Sequence, residues 1–475
     1  MNSYIKCLIV TQVALLAIAR DGRAQSPAVE QPGFKTVVAG KQYKRSAVYQ
    51  WLWGKNRRRE WTVPVTVPVV LLDTVFGGLI PYQKGGGNES KSLRLRSTTG
   101  KEFVLRSVDK SRKDVIPRLF GIPFFGGIIQ DGVSMSHPYG AVALPVMLDH
   151  TGIPHARPRL VFIRQQPALD TFNTRFADDL YFLEERPDGD WSDQQHLGHS
   201  QKFISTLKLL QKLQEDNTCQ ADQHTFIKAR LFDILISDWD RHHDNWRWGE
   251  TEGSENKYFP VPRDRDQAFF TRDGILTKIL IPVTRVRFMH NFDYNIKNVK
   301  TLTSQDRKLD RLFTNAMSQN DWIDAAELLR RSITDSVIEQ SIRQLPPEIF
   351  NLSGTELIEK LKVRRNNLER YASQYYRVVA KKVEINGSEK KEYFEVKRLG
   401  KDQVSVNVFR VDSSGQKESA PWYRRIFYEA DTKTISIYGF GGQDVFDIDN
   451  NTHGIKIVKH EGKSKNPLFE QAESE

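Results

Sequence analysis

One polar stretch constrains this chain more than any other: Ser237-Asp-Trp-Asp-Arg-His-His-Asp-Asn-Trp246 follows an apolar run with helical spacing, Phe226-Ile-Lys-Ala-Arg-Leu-Phe-Asp-Ile-Leu-Ile236. A short strand, Tyr258-Phe-Pro-Val-Pro262, then leads into a second acidic stretch, Arg263-Asp-Arg-Asp-Gln-Ala-Phe-Phe270. Two acidic sites at the ends of regular elements, separated by a hairpin, form a recurrent arrangement for phosphoryl transfer. One carboxylate orients or deprotonates the attacking hydroxyl. An Asn five residues on and an Asp from the second site hold Mg²⁺ against nucleotide phosphates.

The flanking patterns divide the chain into a β-rich part, an α-rich middle and a separate β region. Strand signals begin near Trp61 with Thr62-Val-Pro-Val-Thr-Val-Pro-Val-Val70 and continue through Leu93-Arg-Leu-Arg96, Glu102 to Lys110, Arg159 to Ile163 and Leu180-Tyr-Phe-Leu-Glu184. Lys84-Gly-Gly-Gly-Asn88 reads as a flexible loop between strands. Helical spacing recurs at 203–213, 321–330 and 357–363, the last two within a helix-rich stretch at 306–380. After Lys382 short alternating strands return, ending in a polar tail. The basic run Lys55-Asn-Arg-Arg-Arg-Glu60 is expected to be a solvated turn with arginines stacked on nearby tryptophans. Gly439, Gly441, Gly442 and Asp444 approximate one nonapeptide of a calcium-binding β-roll, but a single copy cannot stack, so a tight turn is expected there.

Lys6 precedes the apolar run Cys7-Leu-Ile-Val-Thr-Gln-Val-Ala-Leu-Leu-Ala-Ile-Ala19, which fits a signal peptide over residues 1–25 with Arg23-Ala-Gln-Ser26 as the cleavage region. No later stretch approaches ~18 uninterrupted apolar residues, so the mature chain is expected to be exported without a transmembrane span. Cys7 and Cys219 are the only cysteines, which excludes a disulfide framework. The 70 Lys and Arg residues outnumber the 59 Asp and Glu residues, for a net charge of +11. These bases are interleaved with acids and form no long tract. Phosphate-bearing ligands and an anionic envelope surface are therefore the expected partners ahead of nucleic acid.

Asp240-Arg-His-His-Asp-Asn245 resembles the D-R-H-N-D-N catalytic loop of the phosphoinositide 3-kinase superfamily and the D-x-H-x-x-N loop of HipA-type kinases. Pro262-Arg-Asp-Arg-Asp-Gln-Ala-Phe269 is similar to the P-W-D-x-D-x-x-F segment of CotH-type spore-coat kinases and to the D-N-G-x-x-F of secretory-pathway protein kinases. The resemblance covers residues 60–375 and implies an α+β, two-lobed, atypical protein-kinase-like fold. A β-rich N-lobe at 61–187 would follow an extension at 26–60, with an α-rich C-lobe at 188–380 and a small all-β domain and tail at 381–475. Carried over by position, the resemblance implies Asp240 as the catalytic Asp, Asn245 and Asp264 as metal ligands, and Asp266 as an alternative ligand. It makes His242 a structural histidine that braces the loop beside Arg241. It also implies ATP with Mg²⁺ or Mn²⁺, and an unknown protein or small-molecule acceptor. These segments further resemble extensions attached to metallophosphoesterases of Gram-negative bacteria. The periplasm, cell envelope or exterior of such a bacterium is thus the expected location.

The third strand of such an N-lobe supplies a phosphate-binding lysine, but Phe103-Val-Leu-Arg106 places Arg106 there, with Lys110 farther along the same face. Gly85, Gly86 and Gly87 would cover the phosphates, although they depart from G-x-G-x-x-G and lack a Walker A lysine–serine pair. Glu184 falls at the expected interlobe hinge beside an adenine, and Asp131 stands in for the helix-C glutamate. Two alternatives to an exported kinase therefore stay open. One is a pseudokinase or accessory binding module of the envelope. The other is a metal-dependent phosphohydrolase built on the His–Asp cluster, although no H-E-x-x-H motif or second dense His cluster accompanies it.

Overall fold

The computed structural model describes residues 33–85, 90–110, 131–280, 287–449 and 454–462; the expected signal segment, Gly86 and Gly87 lie outside these. Strand β1 (Phe34–Val37) pairs antiparallel with β2 (Val65–Pro68) in a two-stranded ribbon. The strand expected over 62–70 is thus shorter, and beyond its pairing with β1 it reaches the main sheet only through a bridge from Val69 and Val70 to Phe162. Trp61 and Thr62 instead finish a helix, Arg58–Thr62. Pro64 and Pro68 explain the restriction, because proline cannot donate to a central ladder.

The first lobe is an antiparallel sheet of β3 (Leu79–Gly85), β4 (Ser90–Ser97), β5 (Glu102–Lys110), β6 (Arg159–Ile163) and β7 (Asp179–Glu185), in the order β3-β4-β5-β7-β6. Period-two alternation gives it two distinct faces. Leu93 and Leu95 stand opposite Leu105 and Phe103 and are buried in one cluster with Leu183 and Trp191. Arg94, Val104 and Glu184 share one register row across β4, β5 and β7, and Arg106 lies two residues along on that same opposite face.

The second lobe is built around the helix Gln223–Ile236. Asp222 caps it by accepting from Thr225 N at 2.9 Å, and its residues from Leu231 to Ile236 are all buried. A helix that is apolar on every side has to be a central one. Helices Gln319–Ser332, Thr355–Asn366 and Leu368–Val379 bring Trp322, Leu361 and Tyr375 into the same core. The helix expected over 203–213 starts at Thr206, capped by Ser205, because Phe203–Ser205 form β8. β8 joins β9 (Gln220–Ala221), β10 (Trp246–Glu250) and β11 (Lys257–Pro262) in a small sheet ordered β8-β10-β11-β9. The result is a two-lobed α+β arrangement, with the chain passing from β7 into the helical lobe.

The third unit packs two sheets around Ile385, Phe394, Val406 and Ile437. One holds parallel β12 (Lys382–Asn386), β16 (Thr434–Tyr438) and β18 (Lys456–His460). The other runs β15 (Tyr423–Tyr428), β14 (Gln403–Arg410), β13 (Glu392–Arg398), β17 (Val445–Ile448). The glycine-rich stretch after β16 is a turn leading to β17, where Asp444 Oδ1 accepts from Glu392 N at 2.8 Å. Gly442 has φ +69° and lies so close to Lys390 that a Cβ would meet its carbonyl oxygen at 2.1 Å. Among the described residues no helix is long and apolar enough to cross a membrane.

Candidate phosphoryl-transfer site

The polar loop begins where the central helix ends. Ser237 takes a left-handed φ of 57°, and Asp238 N donates to Asp233 O at 2.9 Å. Arg364, fully buried, caps the helix from outside by donating to Leu235 O at 2.7 Å, Ile234 O at 2.7 Å and Ser237 Oγ at 2.8 Å. Asp240 is half-buried, and its backbone N donates to Asp238 Oδ1 at 3.3 Å. Asn245 is buried and returns to the start of the loop, with Nδ2 donating to Asp240 O at 2.7 Å. This leaves the side-chain oxygen, Asn245 Oδ1, as the atom suited to a cation.

Arg241 is the brace of this loop. Its side chain is buried and forks onto Asp233 with Nε–Oδ2 at 2.9 Å and Nη2–Oδ1 at 3.0 Å, reaches Asp238 Oδ2 at 2.7 Å, and donates to the Arg263 carbonyl. His242, expected to have this role, is exposed. The physical reason is that four hydrogen bonds to two carboxylates and a carbonyl need a planar fork of donors, which imidazole lacks. Asp233 also accepts from Arg230 and Arg265, each at 3.1 Å, so one buried carboxylate ties the helix, the loop and the second acidic stretch together.

The hairpin β10–β11 sets the distance between the two acidic stretches. Trp246 stands opposite Pro262, and Arg263 N donates to Asn245 O at 2.8 Å, so Asn245 and Asp264 emerge from neighbouring strand ends. Asp264 has φ 56° and Phe269 φ 61°. For a bulky residue such as Phe269 that conformation costs on the order of 1–3 kcal/mol. It is held from both sides, by Phe269 N donating to Ile236 O at 3.0 Å and by Arg57 donating to Phe269 O at 3.2 and 3.1 Å. The basic run 55–60 is therefore no solvated turn: Arg57 and Arg58 are buried. Arg58 forks onto Asp131, with Nη1–Oδ1 at 2.8 Å, so Asp131 serves the N-terminal helix and not the β5 cation.

The upper lobe meets these residues through β5. Arg106 bridges Glu184 Oε1 at 2.9 Å and Asp264 Oδ2 at 2.6 Å, and Lys110 pairs with Asp266. The carboxylate partner of Arg106 is thus Glu184 on the neighbouring strand; its side chain lies in the cleft and the strand leaves the sheet one residue later. Arg106, Lys110, Glu184, Asp264 and Asp266 line one cavity of about 70 Å³ together with His137. Gly85 ends β3 at the rim of the sheet.

Burial would raise the Asp264 carboxyl, but Arg106 and Lys110 outweigh it and hold Asp264 well below the carboxylate range. Burial and then the charge of Asp264 push Asp266 the other way, up to about 7, against the pull of Lys110. The two acids share a hydrogen bond, and at neutral pH one of them carries the negative charge far more readily than the other. Asn245, Asp264 and Asp266 supply only oxygen donors, which suits a hard cation such as Mg²⁺ or Mn²⁺. Among the described residues no group of three or more His, Cys, Asp or Glu side chains is gathered to hold a metal.

Sequence reasoning missed Asp233, Asp238, Arg265 and Arg57. Only Arg230 and Asp233 left a local trace, an i,i+3 charge pair inside an otherwise apolar helix.

No protein-family model matches the chain, and no curated protein matches it. Among solved structures it is similar to a Helicobacter pylori proinflammatory kinase, CtkA, at 12% identity and a TM-score of 0.33, covering 62% of this chain and 94% of that one. It is also similar to the HipA–HipB toxin–antitoxin complex of Shewanella oneidensis with its operator DNA, at 12% identity and a TM-score of 0.31, covering 75% of this chain and 76% of that one.

Proposed function

We propose that this chain is a metal-dependent phosphotransferase that moves a nucleotide phosphoryl group to a hydroxyl acceptor. The observation that carries the reading is the bridge from Arg106 on the upper sheet to Asp264 at the end of β11, one hairpin away from Asp240 and Asn245. In this reading Asp240 accepts the hydrogen bond of the attacking hydroxyl and takes its proton as the new oxygen–phosphorus bond forms and the bond from phosphorus to the departing nucleotide oxygen breaks, releasing the nucleoside diphosphate. Arg106 withdraws charge from the transferring phosphoryl oxygens, and Arg241 keeps the loop from shifting while charge migrates. Asn245 and Asp264, with Asp266, would hold a divalent cation, whose contribution is to neutralise phosphate charge. The proposed setting is the envelope or exterior of a Gram-negative bacterium.

A second reading, a binding module without turnover, is favoured by one observation: Asp264 and Asp266 each already hold a cation of the protein itself. Thermal unfolding with ATP and Mg²⁺ or Mn²⁺, followed by a phosphoryl-transfer assay on wild type, Asp240→Ala and Asp264→Ala, separates the two. Metal-dependent stabilisation with transfer abolished in both variants supports the kinase reading. Stabilisation without any transfer supports the binding module, and absence of both removes the nucleotide from the account.

A further inference from the structure

The seam between the helical lobe and the third unit holds a cavity of about 290 Å³, about four times the volume of the one in the cleft. Leu210 and Leu213 on helix Thr206–Glu215, with Phe313 and Met317 farther along the lobe, form one wall. Trp422 and Phe440 of the third unit form the other. Neither part encloses the space alone, so the cavity exists only because the two dock. Residues of its own lining fasten that docking. Asn217 Nδ2 donates to Glu392 Oε1 at 2.8 Å, Glu389 N to Gln214 O at 2.7 Å, and Tyr423 OH to Asn315 O at 2.9 Å. The glycine-rich turn after β16 supplies Phe440, which is buried at φ 60° and stacked on Tyr438 with ring centres 5.7 Å apart. A bulky residue keeps such a backbone only where its surroundings over-determine it.

The chemistry of the lining selects against charge. Among the described residues no lysine or arginine lines the cavity, and its one carboxylate, Asp222, is exposed and already caps the central helix. Cys219 in the wall is buried, and burial pushes its thiol up to about 11, so it stays neutral. The lining amides are largely engaged: Gln223 donates to Asn315 Oδ1 at 2.9 Å and accepts from Ala316 N at 3.0 Å. Two polar atoms of lining residues are left over. Trp422 Nε1 and Asn386 Oδ1 are buried, and neither has a hydrogen-bond partner among the described residues. An unpaired buried donor and an unpaired buried acceptor are costly, and a molecule bringing the complementary groups offsets both costs. Size narrows the choice further. An apolar cavity of about 150 Å³ holds benzene, so twice that volume suits two fused rings.

We propose that the seam is a binding site for an uncharged, largely apolar molecule of two-ring size, with one hydrogen-bond acceptor for Trp422 Nε1 and one donor for Asn386 Oδ1. The site does not depend on phosphoryl transfer in the cleft. It gives the third unit a task, to supply half of a small-molecule pocket, and it gives the glycine-rich turn one as well, to set Phe440 in the wall.

Calorimetric titration of the full chain with quinolin-2-one, a neutral two-ring lactam, tests it. Two controls accompany the probe: 1-methylquinolin-2-one, which lacks the donor, and quinoline-2-carboxylate, an anion of similar size. Quinolin-2-one is expected to bind at one site with a Kd between about 10 μM and 1 mM. It should bind about three- to tenfold tighter than the methylated lactam and at least about tenfold tighter than the carboxylate. Trp422→Phe keeps an apolar ring without the N–H, and affinity should fall about three- to tenfold. Leu213→Trp fills the cavity and should abolish binding; Ala316→Phe does the same should the first variant fail to fold. In the ¹⁵N-edited spectrum, the indole resonance that is missing from Trp422→Phe should shift when quinolin-2-one is added to wild type. Carboxylate binding as tight as that of the lactam overturns the proposal, as does wild-type lactam affinity in a cavity-filling variant with unchanged melting. A Kd weaker than about 5 mM for the lactam, or a Trp422 indole resonance that does not shift, overturns it too.

Discussion

Replacing Arg241 by Met should be the most costly single change at the site. The guanidinium makes two hydrogen bonds to Asp233, one to Asp238 and one to the Arg263 carbonyl, all out of water. Asp233 keeps Arg230 and Arg265, so its charge is not orphaned, and Asp238, which burial pushes up to about 8, can hold its proton, but Asp238 and the Arg263 carbonyl both lose this donor. Leaving such acceptors without a donor costs about 1–3 kcal/mol each, so roughly 3–5 kcal/mol is expected in all. At about 2–4 °C per kcal/mol for a domain of 150–250 residues, the midpoint of thermal unfolding should fall by about 6–20 °C. Differential scanning calorimetry on the intact chain measures this directly. His242→Ala is the internal control: the side chain is exposed, and the change should stay within about 0.5 kcal/mol. An Arg241→Met protein that melts within about 2 °C of wild type would refute the reasoning, because the fork could not then be what holds the loop. Equal losses in both variants would refute it as well.

The protonation of Asp266 gives a second test. With this carboxyl up to about 7, it is protonated at pH 6, and a cation that needs its oxygen has to displace the proton. Affinity for Mg²⁺ with ATP should therefore weaken as pH falls through 7, with proton release at pH 6 and little at pH 8, read by calorimetry in buffers of different ionisation enthalpy. Arg106→Lys preserves charge but cannot bridge Glu184 and Asp264 at once, so nucleotide affinity should drop about tenfold by the same titration. In the third unit, Gly442→Ala places a methyl against the Lys390 carbonyl at positive φ and should destabilise by more than about 1 kcal/mol, seen as an earlier unfolding transition.

The parts of the molecule that local pattern encodes were readable in the chain. Glu102–Lys110 and Arg159–Ile163 form strands over the residues expected to form them. The two acidic stretches could be singled out because each is a few residues long. What joins them could not be. Asp233 looks like one acid inside an apolar helix until Arg241 and Arg265 arrive from later segments. Arg57 and Arg58 looked like solvated charge because their partners, Phe269 O and Asp131, lie far along the chain. Arg247 was equally hidden, because only the pairing with Val261 reveals which side of β10 it faces. Spacing reports faces and caps, whereas ion pairs between distant segments follow no period.

The clasp between the N-terminal segment and the second acidic stretch bears on the order in which the molecule is built. Asn56 N donates to Asp273 Oδ1 at 2.7 Å and Asp273 N donates back to Asn56 Oδ1 at 3.2 Å, beside the Arg57 contacts to Phe269. More than 200 residues separate these partners. At a synthesis rate of about 5–20 residues per second, Arg57 emerges roughly 10–40 s before the carbonyl it holds. Closing so long a loop also carries an entropic barrier that falls late in folding. Until that loop closes, the left-handed turn at Phe269 is held only by its bond to Ile236 O, and a chain intercepted by a translocation or chaperone system would be met with this segment still open.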